Sequence, residues 1–329
     1  MADEATQADG DHHQPSAYNK IRASQFVNLV RRRRGAALMT REIEMALYLG
    51  TSGNNSITGS ASDDAMLGFG GNDTLYGGTG NDGLAGGSGN DSLYGGTGND
   101  GIDGGIGNDV MDGGTGNDII DGSDGNDSLY GGIGNDELDG GEGNDYLTSS
   151  FGDDDLYGGN GNDELFGGSE NDYLSAGNGN DDLYGGAGND TLYGGSGNDF
   201  VDGGTGTDSL SGGTGNDVYD FDSTAEMGLG ASRDVITNFG DLLFNEDLID
   251  VSTIDANTSN GAGTNDAFSA AFIAAGASFT AAGQIRISQN PANLTQRIVE
   301  FNTDNDAAVE AQILIQVGGG SLTSVDFIL

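Results

Sequence analysis

Apolar side chains recur through the middle of the chain with a fixed period of nine: Leu75, Leu84, Leu93, Ile102, Met111, Ile120, Leu129, Leu138, Leu147, Leu156, Leu165, Leu174, Leu183, Leu192, Val201 and Leu210. Each follows an aspartate by two residues. That aspartate register runs Asp73, Asp82, Asp91, Asp100, Asp109, Asp118, Asp127, Asp136, Asp145, Asp154, Asp163, Asp172, Asp181, Asp190, Asp199, Asp208 and Asp217, with Asp64 and Asn55 extending it backwards. One copy reads Gly77-Gly78-Thr79-Gly80-Asn81-Asp82-Gly83-Leu84-Ala85. One inward side chain between two outward ones predicts a three-residue strand. The glycine-rich residues between strands predict a sharp turn, because glycine enters left-handed backbone regions without steric cost. A short fixed period makes a solenoid, and two repeats close one coil of eighteen residues. Both prolines, Pro15 and Pro291, fall outside the repeats, as a continuous hydrogen-bond ladder requires.

Leucine alone does not hold such coils. Ordering a residue costs roughly 1–2 kcal/mol, while burying one leucine per repeat returns roughly 1.5–3 kcal/mol. Stacking at strand spacing would put Asp73 and Asp91 about 5 Å apart, a repulsion of about 3 kcal/mol at an effective dielectric near ~20. A dication between them converts that penalty into binding. Calcium suits the position: it takes about six to eight hard oxygen ligands at about 2.3–2.6 Å, and glycine turns offer bare carbonyls beside the carboxylate.

Residues 53–220 resemble the RTX, or haemolysin-type calcium-binding, nonapeptide repeats. The resemblance implies an all-β chain with a right-handed parallel β-roll over 45–220, binding many Ca2+ ions. It implies that Asp64 and the aspartates from Asp73 to Asp217 are the metal ligands. Gly77, Gly78, Gly80 and their equivalents Gly95, Gly96 and Gly98 then supply carbonyls or the needed backbone angles, and each calcium is shared with the repeat two further along. Three departures mark turns expected to be weak or empty: Ser149-Ser150 for a glycine pair, Glu170 for a glycine and Asn55 for an aspartate. Outward Tyr76, Tyr94, Tyr130, Phe166 and Tyr184 fall on one sheet, and Asp103, Asp121 and Asp139 on the other. The aromatic row reads as a ladder that stabilises its sheet, or as a face for polysaccharide or a cell surface.

Composition adjusts this picture. Glycine supplies 63 of 329 residues and the formal net charge is −43, which by itself describes a disordered chain; the strict period overturns that reading. The charge disfavours nucleic acid and anionic membranes and calls for an abundant cation. Cysteine is absent, removing disulfides, thiolate metal sites and thiol catalysis. No apolar run is long enough to span a membrane, and no standard secretory signal opens the chain.

Catalytic motifs are also missing. Gly78-x-Gly80-x-x-Gly83 and Gly96-x-Gly98-x-x-Gly101 are products of the repeat, without a following helix. The only histidines, His12 and His13, exclude a His-Glu-x-x-His zinc motif, and there is no Gly-x-Ser-x-Gly elbow. Proteases and lipases of the resembled family carry such motifs in separate domains; its pore-forming members carry a long apolar region and acylated lysines, whereas Lys20 is the sole lysine here. The expectation is a binding module and not an enzyme, with a hydrolase using an unrecognised C-terminal site as an alternative.

After Asp220 the period stops. Asp234-Val235-Ile236-Thr237-Asn238-Phe239 and Asp247-Leu248-Ile249-Asp250-Val251-Ser252 are similar to the serralysin-type C-terminal domain, as are Ile285, Phe301 and Ile313-Leu314-Ile315 in later strands. Residues 221–329 are therefore expected to form a β-rich cap, which a solenoid needs to cover its last rung. The closing Asp326-Phe327-Ile328-Leu329 resembles an uncleaved signal for type I secretion, or is an ordinary closing strand. The resemblance implies the type I secretion machinery as partner and an extracellular location. Residues 1–44 hold Lys20, Arg22, Arg31–Arg34 and Arg41, seven of the ten basic residues. They read as a disordered arm, or as an extension upstream of a start at Met45.

Overall fold

A computed structural model describes residues 45–222, 233–239, 247–250, 271–273, 284–289, 296–302, 309, 311–317 and 327–328. The basic arm, Asp326 and Leu329 lie outside the described residues. Among these the chain is all β, a parallel solenoid of about ten coils without helix, and no helix is long and apolar enough to cross a membrane. Strands alternate between two sheets, one of 15 and one of 13 strands, so each pairs with the strand two further along. The pairing is parallel and in register at eighteen residues, as in Leu75↔Leu93 and Leu84↔Ile102.

Most strands are longer than the three residues read from the periodicity. Thr74–Thr79 and Ser92–Thr97 run for six, because neighbouring coils also pair through the glycines, Gly78↔Gly96 and Thr79↔Thr97. Along Asp73-Thr74-Leu75-Tyr76-Gly77 the buried residues are the aspartate, the leucine and the first glycine, the period-two alternation of a strand. Three columns therefore point inward on each sheet. The middle one is a continuous apolar core from Met66 and Leu75 to Leu210, all essentially inaccessible to solvent. The other two are carboxylates and glycines.

Most glycines at the second and fourth positions of the repeat have positive φ, as at Gly78 (106°) and Gly80 (126°). Phe69 (75°) and Ser123 (73°) at the second position and Glu170 (78°) at the fourth take the same conformation, whereas Ser60, Ser62 and Ser150 at those positions do not.

Both sheets continue beyond the repeats. Val235–Phe239 pairs in parallel with Ser209–Thr214, and Leu248–Asp250 with Val218–Asp220. The core side chains enlarge here to Tyr219, Phe221 and Phe239, with the Tyr219 and Phe239 rings 5.9 Å apart. Ala311–Val317 then adds in parallel to Val235–Phe239 and opens an antiparallel run through Gln296–Asn302 and Gln284–Gln289. On the other sheet Phe327–Ile328 pairs with Leu248–Asp250, so this part of the tail is a closing strand.

The outward aromatics occupy both sheets. Tyr76 and Tyr94 stack at 5.0 Å, and Tyr130, Tyr146, Phe166, Tyr184 and Phe200 form a second run, broken from the first by Asp112. Tyr157, Tyr173 and Tyr193 make a shorter row on the opposite sheet. Leu138→Ala empties one completely buried rung and is expected to cost the fold about 2–5 kcal/mol, measured by chemical denaturation.

Candidate metal centre

A line of buried carboxylates runs along each edge of the roll, where the chain passes from one sheet to the other. Asp64, Asp82, Asp100 and every second successor follow one edge; Asp73, Asp91, Asp109 and theirs follow the other. All are nearly inaccessible to solvent. Each side chain reaches back one coil. The N–H of Asp64 donates to Oδ1 of Asp82 (2.7 Å), that of Asp82 to Asp100 (2.7 Å), and on the other edge that of Asp73 to Asp91 (2.6 Å). The pattern persists to Asp199 and Asp217 (3.0 Å). An exposed asparagine ladder runs the opposite way, with the Asn99 N–H donating to Oδ1 of Asn81 (2.7 Å). The two ladders lock each turn to the turns before and after it.

The second carboxylate oxygen has no such partner. Oδ2 of Asp73, Asp82, Asp91, Asp100 and most of their successors is buried without any hydrogen bond. A charged group left in that state costs more than the roughly 1–3 kcal/mol of a neutral one. Beside each Oδ2 lies the first glycine of the same repeat and, from the next coil, the carbonyl of its equivalent. A side-chain carbon on Gly77 would stand 2.6 Å from Asp82 Oδ2 and 2.5 Å from the Gly95 oxygen; on Gly140, 2.6 Å from Asp145 Oδ2 and 2.7 Å from the Gly158 oxygen. Any side-chain carbon there would clash with the carboxylate and the carbonyl, so glycine is what lets these oxygens approach one another. No group of three or more carboxylate or imidazole side chains arranged for a metal exists among the described residues. The candidate donor set is therefore carboxylates of successive coils with backbone carbonyls, the hard oxygens that calcium takes.

The glycines named from the sequence divide by role. The carbonyls of Gly77 and Gly95 sit with Asp64 and Asp82 respectively. The carbonyls of Gly78 and Gly80 pack instead against Gly96 and Gly98 of the next coil, which leaves no room for a side chain there. The sequence reading missed Asp234 and Asp247, which continue the two ladders past the repeats: the N–H of Asp208 donates to Asp234 Oδ1 (2.9 Å) and that of Asp217 to Asp247 Oδ1 (3.2 Å). Their signal was present as the same aspartate-x-apolar triplet in Asp234-Val235-Ile236 and Asp247-Leu248-Ile249. Broken spacing hid it.

At the departures the space changes. Ser149 replaces the first glycine, and its hydroxyl donates to Asp136 Oδ2 at 3.5 Å, so the oxygen left without a hydrogen bond in most other repeats has one here. Pairing is interrupted there too, with Tyr146–Thr148 cut to three residues and Phe151 held by isolated bridges. Glu170 keeps its turn by accepting the Gly152 N–H (3.1 Å). Asn55 spends its side-chain oxygen on the Thr51 N–H (2.6 Å).

Burial pushes the carboxyls up. Asp100, Asp145 and Asp190 rise to about 6, Asp109, Asp127, Asp163 and Asp199 to about 7, and Asp172 to about 8. Desolvation is the main cause; the N–H of the preceding aspartate opposes it, and for most of them neighbouring carboxylates add to the rise. Without a cation, these raised carboxyls keep their protons to higher pH than a free carboxyl does.

A family model described as the RTX calcium-binding nonapeptide repeat (4 copies) matches at residues 49–84, 84–111, 112–147, 148–183, 157–192 and 184–219, together just over half of the chain. No match to a curated protein is found. Among solved structures the chain is similar to the AlgE6R2 subunit of the Azotobacter vinelandii mannuronan C5-epimerase, with 20% identity and a TM-score of 0.34 over 61% of this chain and 91% of that one. It is also similar to the AlgE6R3 subunit of that epimerase, with 24% identity and a TM-score of 0.25 over 51% of this chain and 78% of that one.

Two outcomes follow from the geometry. In chelator, the folded roll retains protons that the unfolded chain has released, so its stability is greatest in acid and falls as pH rises from about 3.8 through 6–8. Circular dichroism in chelator is expected to show more strand at pH 5 than at pH 8, and the reverse order would contradict the burial described. Ser149→Gly frees Asp136 Oδ2 and is expected to raise the number of bound calcium ions by one, counted by native mass spectrometry.

Proposed function

Because the chain belongs to the RTX calcium-binding nonapeptide repeat family, we propose that it is a secreted, non-enzymatic calcium-binding protein whose roll folds as calcium fills the two carboxylate lines. One observation carries this reading: the rows of buried Oδ2 atoms without hydrogen bonds, each beside a glycine carbonyl. The cation supplies positive charge that ten basic residues against 53 acidic ones do not. The chain's own groups do the rest. Oδ1 latches each turn to the preceding backbone, Oδ2 and the first-glycine carbonyl face the ion, and the leucine columns exclude water between the edges.

On this reading the chain leaves the cell through the type I machinery, guided by its Asp326–Leu329 tail, while scarce calcium leaves the carboxylates mutually repelling. Outside, calcium-binding energy becomes folding energy, at the roughly 10⁻⁴–10⁻³ M affinity usual for extracellular modules. The tyrosine rows support the sheets in this account: Tyr76 with Tyr94 and Phe166 with Tyr184 lie face on face, so those ring faces are covered by one another and not offered to a sugar.

Circular dichroism at neutral pH is expected to show a disordered chain in chelator and a β spectrum at millimolar calcium. Strand content indifferent to chelation sinks the proposal.

A further inference from the structure

We infer that the calcium array does not end with the repeats: Asp234 and Asp247, outside the matched residues, each complete one more cation site and thereby tie the C-terminal strands to the metal. The inference rests on the calcium reading above and adds two ligands to it. The last aspartates of the repeat register, Asp208 and Asp217, each have a buried Oδ2 without a hydrogen bond, the condition found all along the edges. The next rung on each edge again holds an aspartate. Asp234 and Asp247 are as inaccessible as the repeat ligands, 0% and 2% exposed, and their Oδ1 atoms accept the N–H groups of Asp208 and Asp217 as every repeat aspartate does for its predecessor. The separations are 26 and 30 residues instead of eighteen, and the rung itself is kept.

Selection of the same residue at the same rung has a physical reason. Hydrogen bonding alone asks only for an Oδ1 acceptor, which asparagine also supplies, as it does along the exposed ladder. A second buried carboxylate beside Asp208 or Asp217 adds repulsion unless a cation lies between them.

These two rungs carry the cap. Val235–Phe239 and Leu248–Asp250 follow Asp234 and Asp247 directly, and Ala311–Val317 and Phe327–Ile328 pair on them. The last two cations then fasten the C-terminal strands to the roll.

Asp234→Asn and Asp247→Asn keep the Oδ1 acceptor and remove one charge. In the full chain each is expected to lower the calcium count in native mass spectrometry by one, and the pair by two. Hydrogen exchange at 311–317 should need several-fold more calcium for protection in the double variant, while strands between 74 and 196 keep the wild-type midpoint. An Asp163→Asn control should shift the roll itself. Should the variants fail to fold, anomalous scattering from calcium-loaded wild-type crystals decides: density is expected between Asp208 and Asp234 and between Asp217 and Asp247. Wild type that loads calcium in the repeats but shows no ion at those two places, or variants with unchanged counts, overturns the inference alone. Wild type that binds no calcium overturns the reading beneath it.

Discussion

Two rows of carboxylates, buried at the edges of a solenoid and spaced one strand apart, set the terms on which this protein folds. Each row places like charges about 5 Å from one another in surroundings that disfavour ionisation, and each carboxylate satisfies only one of its oxygens with backbone N–H. The narrow leucine core between the rows cannot offset that. A coil contributes two apolar residues to the interior, as Leu75 and Leu84 do, against the ordering of eighteen backbones. On the calcium reading proposed above, the fold is conditional on whatever neutralises the edges, protons in acid or a dication near neutrality.

Much else in the repeat follows from that need. The first glycine is required by space, since any side chain there would press on the neighbouring carboxylate and carbonyl. The glycines at the second and fourth positions suit the positive φ that most of them adopt, as Phe69, Ser123 and Glu170 also do. Asparagine before the aspartate supplies a ladder on the solvent side that runs against the carboxylate ladder. Outward positions are free of these demands and accordingly vary, from stacked tyrosines to aspartates such as Asp103, Asp121 and Asp139.

The defects are informative for the same reason. Ser149 gives Asp136 Oδ2 the hydrogen bond that this oxygen lacks in neighbouring repeats, the strand beside it is cut to three residues, and exposed Ile133 and Phe151 stand at the interrupted turn. One edge of the carboxylate line is thereby divided between Asp136 and Asp154.

The sequence alone determined the solenoid, the coil of eighteen residues, the inward leucine and the columns of aspartate along it, because a strict period makes every coil a copy and a local rule becomes a global one. It did not reveal the length of the strands, since pairing through Gly78 and Thr79 depends on the coil above and not on the propensity of the residues themselves. Nor did it separate the glycine that makes room beside the carboxylate from those that turn the backbone; all three look alike as letters. Asp234 and Asp247 escaped it because separations of 26 and 30 residues break the period of eighteen while the rung is kept. Register between distant segments is a property of the folded stack, so only the tertiary structure could show where the carboxylate lines end.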